Sequence, residues 1–156
     1  MRPTQMEATR AEGAHLSRVP ALYVLAALLA LAGLADALYL TIEHLTGSSV
    51  RCTVSGGCNE VLSSAYAKIG AIPTASLGAL AYFMAFSLTT LVIFGYRSAR
   101  APLAVLVVIM LATSIGLVCV QAFVLHAFCE FCLLSALITT LLATVVFIAR
   151  LKERRD

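Results

Sequence analysis

Charged residues are scarce in this chain. They make up 12% of its 156 residues, whereas apolar residues make up 61%. A soluble domain carries about 25% charged residues. The charges present lie mostly near the two ends, which leaves long uncharged stretches. This composition excludes an ordinary soluble domain and is typical of a polytopic membrane protein. Basic residues also form no stripe with interleaved aromatics, so the sequence gives no support to a nucleic-acid partner.

Four apolar runs are each long enough to cross a bilayer as a helix. A crossing of about 30 Å needs about 20 residues, and lipid admits only helices or closed barrels. The runs show no alternation of period two, so we predict helices. They are Pro20 to Ile42, Thr74 to Phe94, Pro102 to His126 and Cys129 to Ala149. We therefore predict an all-α membrane protein: a four-transmembrane-helix bundle over residues 20–149, with a tail of residues 1–19 and a charged tail of residues 150–156.

Positive charge is distributed unequally between the two sides of this bundle. Four spans place both tails on one side together with the 96–101 turn, and that side holds nine of the eleven Lys and Arg residues. The other side holds Arg51 and Lys68. By the positive-inside rule, we predict a multi-pass protein of the cell's inner or plasma membrane with cytoplasmic termini. The loop between the first and second helices, residues 43–73, is then extracytoplasmic. A cleaved signal peptide near Ala37 is disfavoured because the first run is too long for a signal core.

Four of the five cysteines fall on the outer side, in two pairs. Cys129 and Cys132 form a C-x-x-C at the start of the fourth helix, where residues three apart share a face and the helix N-terminus favours a thiolate. Cys52 and Cys58 lie in the outer loop, separated by a segment whose two glycines permit a turn. Two pairs at different depths suggest a thiol–disulfide relay. The fifth, Cys119, lies in the third run and is interpreted as an inert thiol.

Other interpretations of these cysteines stay open at this point. Both pairs are compatible with structural disulfides. Four thiolates are also compatible with a zinc site, and membrane thiols with carriage of a soft metal. An oxidising compartment disfavours the metal interpretations, so we predict no metal site. Asp36, inside the first run, is compatible with proton handling or with a hydrogen-bonded structural role.

The order of these motifs resembles the vitamin K epoxide reductase family in its bacterial, quinone-linked form. The resemblance spans about Asp36 to the end of the fourth helix. It rests on the loop Cys52-Thr-Val-Ser-Gly-Gly-Cys58-Asn-Glu-Val-Leu-Ser-Ser64, on Ile69-Gly-Ala-Ile-Pro73 followed by Leu77-Gly-Ala-Leu-Ala-Tyr82, and on Phe128-Cys-Glu-Phe-Cys132-Leu-Leu-Ser135-Ala136.

The resemblance implies a role for each cysteine. Cys52 would exchange with the thiols of a partner, Cys58 would pass the disulfide on to Cys129, and Cys132 would face a quinone of the ubiquinone, menaquinone or phylloquinone type. Many members carry a fused thioredoxin-like domain. Few residues follow Arg150 here, so we expect a separate periplasmic thioredoxin-fold partner.

Three further residues are predicted to lie at the quinone site. Ser64 matches a serine near the quinone in the family, although a helix hydroxyl bonded to its own backbone is the alternative. Ser135 is assigned to the same site from the second motif block. His126 precedes the C-x-x-C closely enough to stabilise a thiolate or protonate a reduced quinone, or to be a hydrated interfacial residue.

Two departures bear on the reaction. Ala136 stands where the animal enzymes carry a tyrosine, and Thr74 stands where they carry an asparagine. In the animal enzymes, that tyrosine and that asparagine contact the vitamin K headgroup. The resemblance therefore implies quinone reduction coupled to disulfide formation, with vitamin K reduction as the alternative.

Overall fold

The computed structural model describes residues 18–46, 58–64, 68–69 and 72–155. Its helices are α1 (Arg18–Thr46), α2 (Cys58–Ser63), α3 (Thr74–Ile93), α4 (Arg100–Val120) and α5 (Glu130–Arg155). Strands β1 (Lys68–Ile69) and β2 (Ile72–Pro73) form a small antiparallel ladder that pairs Lys68 with Pro73 and Ile69 with Ile72. A 3-10 turn, Arg97–Ala99, precedes α4, and a π-helical segment, Gln121–Leu125, follows it.

The predicted four-helix membrane fold is confirmed. Among the described residues, four helices are long and apolar enough to cross a membrane: Pro20–Thr46, Thr74–Ile93, Arg97–Leu125 and Glu130–Arg155. Their outer faces are covered with large apolar side chains, among them Leu28, Phe83, Ile109 and Leu137. Such faces are stable only where lipid replaces water, because lipid tails are as apolar as the side chains themselves.

The helix ends differ from the sequence prediction at several places. Residues 150–155, predicted as a charged tail, continue α5. The loop predicted over residues 43–73 begins later, after Thr46, and contains α2 and the two short strands. The third run does not end as one uniform helix at His126, since α4 gives way to the π-helical segment at Gln121. These elements are too short, or too polar, to produce a long apolar run.

Small side chains let the helices approach closely in the core. Ala26 and Ala30 on α1 are fully buried, as is Ala85 on α3. Gly33 on α1 is the closest approach, because a Cβ built there would overlap the ring of Tyr82 on α3. Small residues at such positions bring backbones together in membranes, where packing drives helix association. The absence of a side chain at Gly33 therefore leaves the space that the Tyr82 ring occupies.

One end of the bundle is held by a polar contact between three helices. Arg100 Nη2 lies 3.1 Å from Glu153 Oε1, and the Tyr23 hydroxyl donates to Glu153 Oε2 at 3.2 Å. This contact explains why α5 continues past Ala149, since Glu153 reaches partners on both α1 and α4. Arg, Lys and Glu are also good helix formers.

Candidate functional site

Cys58 and Cys129 lie together in a small cluster of buried side chains apart from the bundle core. The cluster consists of Cys58, Val61, Ala127 and Cys129, with Leu125, Phe131 and Cys132 packed against it. Both Cys58 and Cys129 are 0% exposed. The fold therefore brings one cysteine of the outer loop against one cysteine of the C-x-x-C.

The cysteines of the described chain differ in bonding state. Cys58 is disulfide-bonded, whereas Cys119, Cys129 and Cys132 carry free thiols. Cys52 lies outside the described residues, so its predicted pairing with Cys58 stays a prediction. Cys119 is exposed on the lipid-facing side, in a groove shared with Leu133 and Ala136.

Cys129 occupies the N-cap of α5. Its carbonyl oxygen accepts the first intrahelical hydrogen bond, from the Leu133 N–H at 3.0 Å. The first N–H groups of a helix have no partner within the helix, and the helix N-terminus favours an anion there. Cys129 is therefore placed where a thiolate is stabilised, and Cys132 lies one turn further along the same helix.

The segment before α5 sets the position of Cys129. Gln121, at the start of the π-helical segment, accepts a hydrogen bond at Oε1 from the Cys129 N–H at 3.0 Å. His126 then adopts a left-handed conformation with φ of 49°, which turns the chain into α5. In the first turn of α5, the Phe131 ring packs on the Tyr39 ring of α1, with the ring centroids 5.2 Å apart. π-Helical segments frequently occur at functional sites, and this one ties α4 to the cysteine motif.

A cavity of about 420 Å³ opens beside Cys132. Its walls are mainly apolar and come from α1, α3 and α4, with contributions from α2 and α5. Sites for small organic ligands typically span about 300–1,000 Å³ and combine apolar walls with few polar groups. Its polar lining groups include Ser64, Tyr82, Gln121, Cys132, Ser135 and Thr139.

The predicted quinone-site residues are distributed unevenly around this cavity. Ser64, Cys132 and Ser135 all line it. Ser64 also donates to its own backbone, to the Val61 oxygen at 2.7 Å. His126 is exposed and is not among the residues that line the cavity, so its role stays a prediction.

The cavity is also lined by a buried cluster of hydroxyl groups. This cluster was not predicted from the sequence. The Tyr82 hydroxyl donates to the Ser135 carbonyl oxygen at 2.9 Å. It also lies 3.0 Å from Ser135 Oγ and 2.7 Å from Thr139 Oγ1. Tyr82 stands more than fifty residues from these partners along the chain, so local spacing carries no signal for the contact. Its presence in the motif block was the only available hint.

Asp36 belongs to the same region of the bundle. Its Oδ2 is buried and, within the described part of the chain, has no hydrogen-bond partner. Its neighbour in the chain, Ala37, lines the cavity. Residues 18–46, 58–64, 68–69 and 72–155 contain no group of three or more His, Cys, Asp or Glu side chains arranged to hold a metal.

The comparisons with known proteins agree with this arrangement. The model of the vitamin K epoxide reductase family matches residues 24–147, a range that takes in all four cysteines of the two pairs and most of each long helix. A comparison with curated proteins gives no match. Four membrane helices, a C-x-x-C at a helix N-cap and this match over most of the chain lead to one conclusion: the protein belongs to the vitamin K epoxide reductase family, whose members are membrane oxidoreductases that use quinones.

Proposed function

We propose that this protein is a thiol–quinone oxidoreductase that generates disulfides. It takes two electrons from a thioredoxin-fold thiol protein on the extracytoplasmic side and passes them through Cys52, Cys58, Cys129 and Cys132 to a quinone in the membrane. One observation carries the proposal: Cys58 and Cys129 share one buried cluster, while Cys132 lines the neighbouring cavity. This placement of Cys58, Cys129 and Cys132 supports a relay that leads from the loop pair to the cavity.

The first transfer passes from the partner to the loop pair. A partner thiolate attacks Cys52 of the Cys52–Cys58 disulfide and releases Cys58 as a thiolate. The second partner thiol then resolves the mixed disulfide. The partner leaves oxidised, and Cys52 and Cys58 are both reduced.

The second transfer passes between the pairs. The Cys58 thiolate attacks Cys129 of the Cys129–Cys132 disulfide and releases the Cys132 thiolate. Cys52 resolves the Cys58–Cys129 bond, which restores the loop disulfide and leaves the C-x-x-C reduced. The shared cluster supports this step, because exchange requires the attacking and attacked sulfurs to meet without long chain movements.

The third transfer passes to the quinone. The reduced Cys129 and Cys132 give two electrons and two protons, the quinone becomes hydroquinone, and the Cys129–Cys132 disulfide forms again. The position of Cys129 at the N-terminus of α5 favours its thiolate, and Cys132 is the C-x-x-C residue that lines the cavity.

Disulfide generation is favoured over vitamin K epoxide reduction. Ala136 has no polar group and lies in the lipid-facing groove with Cys119 rather than among the residues lining the cavity. Thr74 lines the cavity but offers a hydroxyl instead of an amide. Positions 136 and 74 therefore lack the phenol and the amide that the resemblance associates with vitamin K chemistry.

The test is quinone reduction by the full-length protein in lipid nanodiscs, with a reduced thioredoxin-fold protein as donor and a short-chain ubiquinone as acceptor. We expect turnover in the wild type and none in the Cys132→Ala variant. The Cys119→Ala variant is the matched control, because it removes a free thiol on the lipid-facing side, and it should keep full turnover. Retained turnover in Cys132→Ala would refute the proposal.

A further inference from the structure

We propose that Gln121 binds the quinone directly: its side-chain amide donates from Nε2 to a quinone carbonyl oxygen while its Oε1 holds the backbone of Cys129. This inference rests on the proposed function, and it names the group that recognises the acceptor. Gln121 lines the same cavity as Cys132.

The orientation of the amide follows from its contact with Cys129. Gln121 is 3% exposed, and a buried carboxamide needs hydrogen-bond partners at both its oxygen and its nitrogen. The Cys129 N–H is a donor, so the atom 3.0 Å away must be the accepting oxygen. Nε2, with its two hydrogens, therefore points away from the Cys129 nitrogen.

The two N–H groups of Gln121 Nε2 remain available to an acceptor. No hydrogen bond joins it to another described residue. It is also not sealed into the packing: the described side-chain atoms that are fully buried without a partner are Asp36 Oδ2 and Arg100 Nε. A buried donor without an acceptor is costly. An acceptor that enters the cavity would remove that cost.

Three of the hydroxyl groups that line the cavity already have partners. Ser64 donates to the Val61 oxygen at 2.7 Å, and Thr139 Oγ1 lies 2.7 Å from the Tyr82 hydroxyl and 3.0 Å from the Ser135 carbonyl oxygen. Tyr82 is bound within the hydroxyl cluster. Gln121 is the only carboxamide among the described residues that line the cavity. His44 also lines the cavity and carries an imidazole N–H, but Gln121 is the N–H donor that is 3% exposed and fixed to the Cys129 backbone.

The chemistry of quinone reduction matches this donor. Negative charge develops on the carbonyl oxygens as electrons arrive, and a fixed N–H donor stabilises that charge. Because the same side chain holds the Cys129 backbone, the quinone carbonyl and the N-cap cysteine are positioned by one group. Removing it should weaken quinone binding and slow the electron transfer.

The experiment compares wild type with Gln121→Met, which keeps the side-chain length and removes both polar atoms. The probe is a short-chain ubiquinone with ¹³C-labelled carbonyls, bound to full-length protein in nanodiscs. We expect the KM for this quinone to rise about three- to tenfold. We also expect one carbonyl stretching band to move to higher frequency in the infrared difference spectrum, because a lost hydrogen bond strengthens the C=O bond. Thr140→Val, which removes a hydroxyl bound to its own helix at the Ala136 oxygen, should change neither.

A second variant keeps the test decisive if Gln121→Met does not fold. Gln121→Glu retains an oxygen for the Cys129 N–H and removes the amide donor, so the carbonyl band should move: to higher frequency if the ionised carboxylate offers no donor, and to lower frequency if the neutral carboxyl donates its O–H. An unchanged band and an unchanged KM in a folded variant would overturn the role of Gln121 while leaving the proposed function intact. If the wild type neither binds nor reduces the labelled quinone, both proposals fail together.

Discussion

At one end of the bundle, α1, α4 and α5 are joined by the contacts of Glu153 with Tyr23 and Arg100. At the other end, the helices separate around a cavity of about 420 Å³, and the buried cysteines lie beside it. The first end holds the helices together, and the second leaves room for a ligand. This comparison indicates that helix packing and thiol chemistry depend on different parts of the same four helices. Substitutions at the two ends should therefore have separable effects on stability and on turnover.

The largest expected effect is at the cysteine end, with Cys58→Ser. The hydroxyl cannot take part in disulfide exchange, so turnover from partner to quinone should fall at least about a thousandfold, as when a covalent nucleophile is removed. Steady-state quinone reduction measures this loss. The melting temperature should change little relative to a wild type whose disulfides have been reduced. Substantial turnover in the Cys58→Ser variant would contradict the assignment of the thiol chemistry to the cysteine end of the bundle.

The next largest effect is expected from Gly33→Ala, which disturbs the packing of the Tyr82 ring between the two ends of the bundle. Gly33→Ala places a Cβ into the Tyr82 ring, and such overpacking should cost about 1–3 kcal/mol of unfolding free energy. Displacing the ring should also weaken quinone binding, because the hydroxyl cluster lines the cavity. Denaturation in detergent and the quinone KM measure the two effects.

Gly116→Ala is the matched control for this substitution. A Cβ at Gly116 meets no atom within 4 Å, and Ala has the higher helix propensity, so stability should be unchanged or slightly higher. Equal destabilisation by both variants would contradict the close contact of Gly33 with Tyr82.

A smaller effect is expected from Tyr82→Phe. The ring and its packing stay, but Ser135 and Thr139 lose their hydroxyl partner. Losing one buried hydrogen bond should cost about 1–2 kcal/mol. Thermal unfolding should show this loss, with a modest rise in quinone KM. A melting temperature equal to that of the wild type would argue that the hydroxyl cluster does not stabilise the bundle.

The smallest effect is expected at the opposite end, with Glu153→Gln. Arg100 is 30% exposed in its side chain, and partly exposed ion pairs contribute at most about 1 kcal/mol. The melting temperature should fall slightly, and quinone turnover should not change. Arg154→Gln, at an exposed position next to Glu153, should leave both unchanged. A strong loss of turnover in Glu153→Gln would show that the two ends are coupled.

The sequence predicted the bundle but not its ends. Long apolar runs are sufficient for four helices, because lipid permits few other structures. The helical extension to Arg155 was missed because Glu153 depends on Tyr23 and Arg100, which lie far away along the chain. The short helix α2 was missed because six residues produce no recognisable apolar period.

The candidate site was predictable to the extent that local motifs encode it. Ser64, Cys132 and Ser135, which the resemblance assigns to a quinone site, line one cavity; their contact with a quinone stays a prediction. Tyr82 and Gln121 were missed because their contacts depend on tertiary packing and on a π-helical segment. Neither feature leaves a period in the sequence.

The relay from the loop pair to the C-x-x-C is the central claim, and trapping its mixed disulfide tests it most directly. In the Cys52→Ala/Cys132→Ala double variant, the two cysteines that would resolve a bond between Cys58 and Cys129 are absent, and Cys119 is the one other thiol of the chain. After mild oxidation of the full-length protein in nanodiscs, peptide mapping by mass spectrometry under non-reducing conditions should find a Cys58–Cys129 disulfide, with Cys119 still a free thiol. Cys58 and Cys129 both remaining free, or pairing with Cys119 instead, would contradict the account.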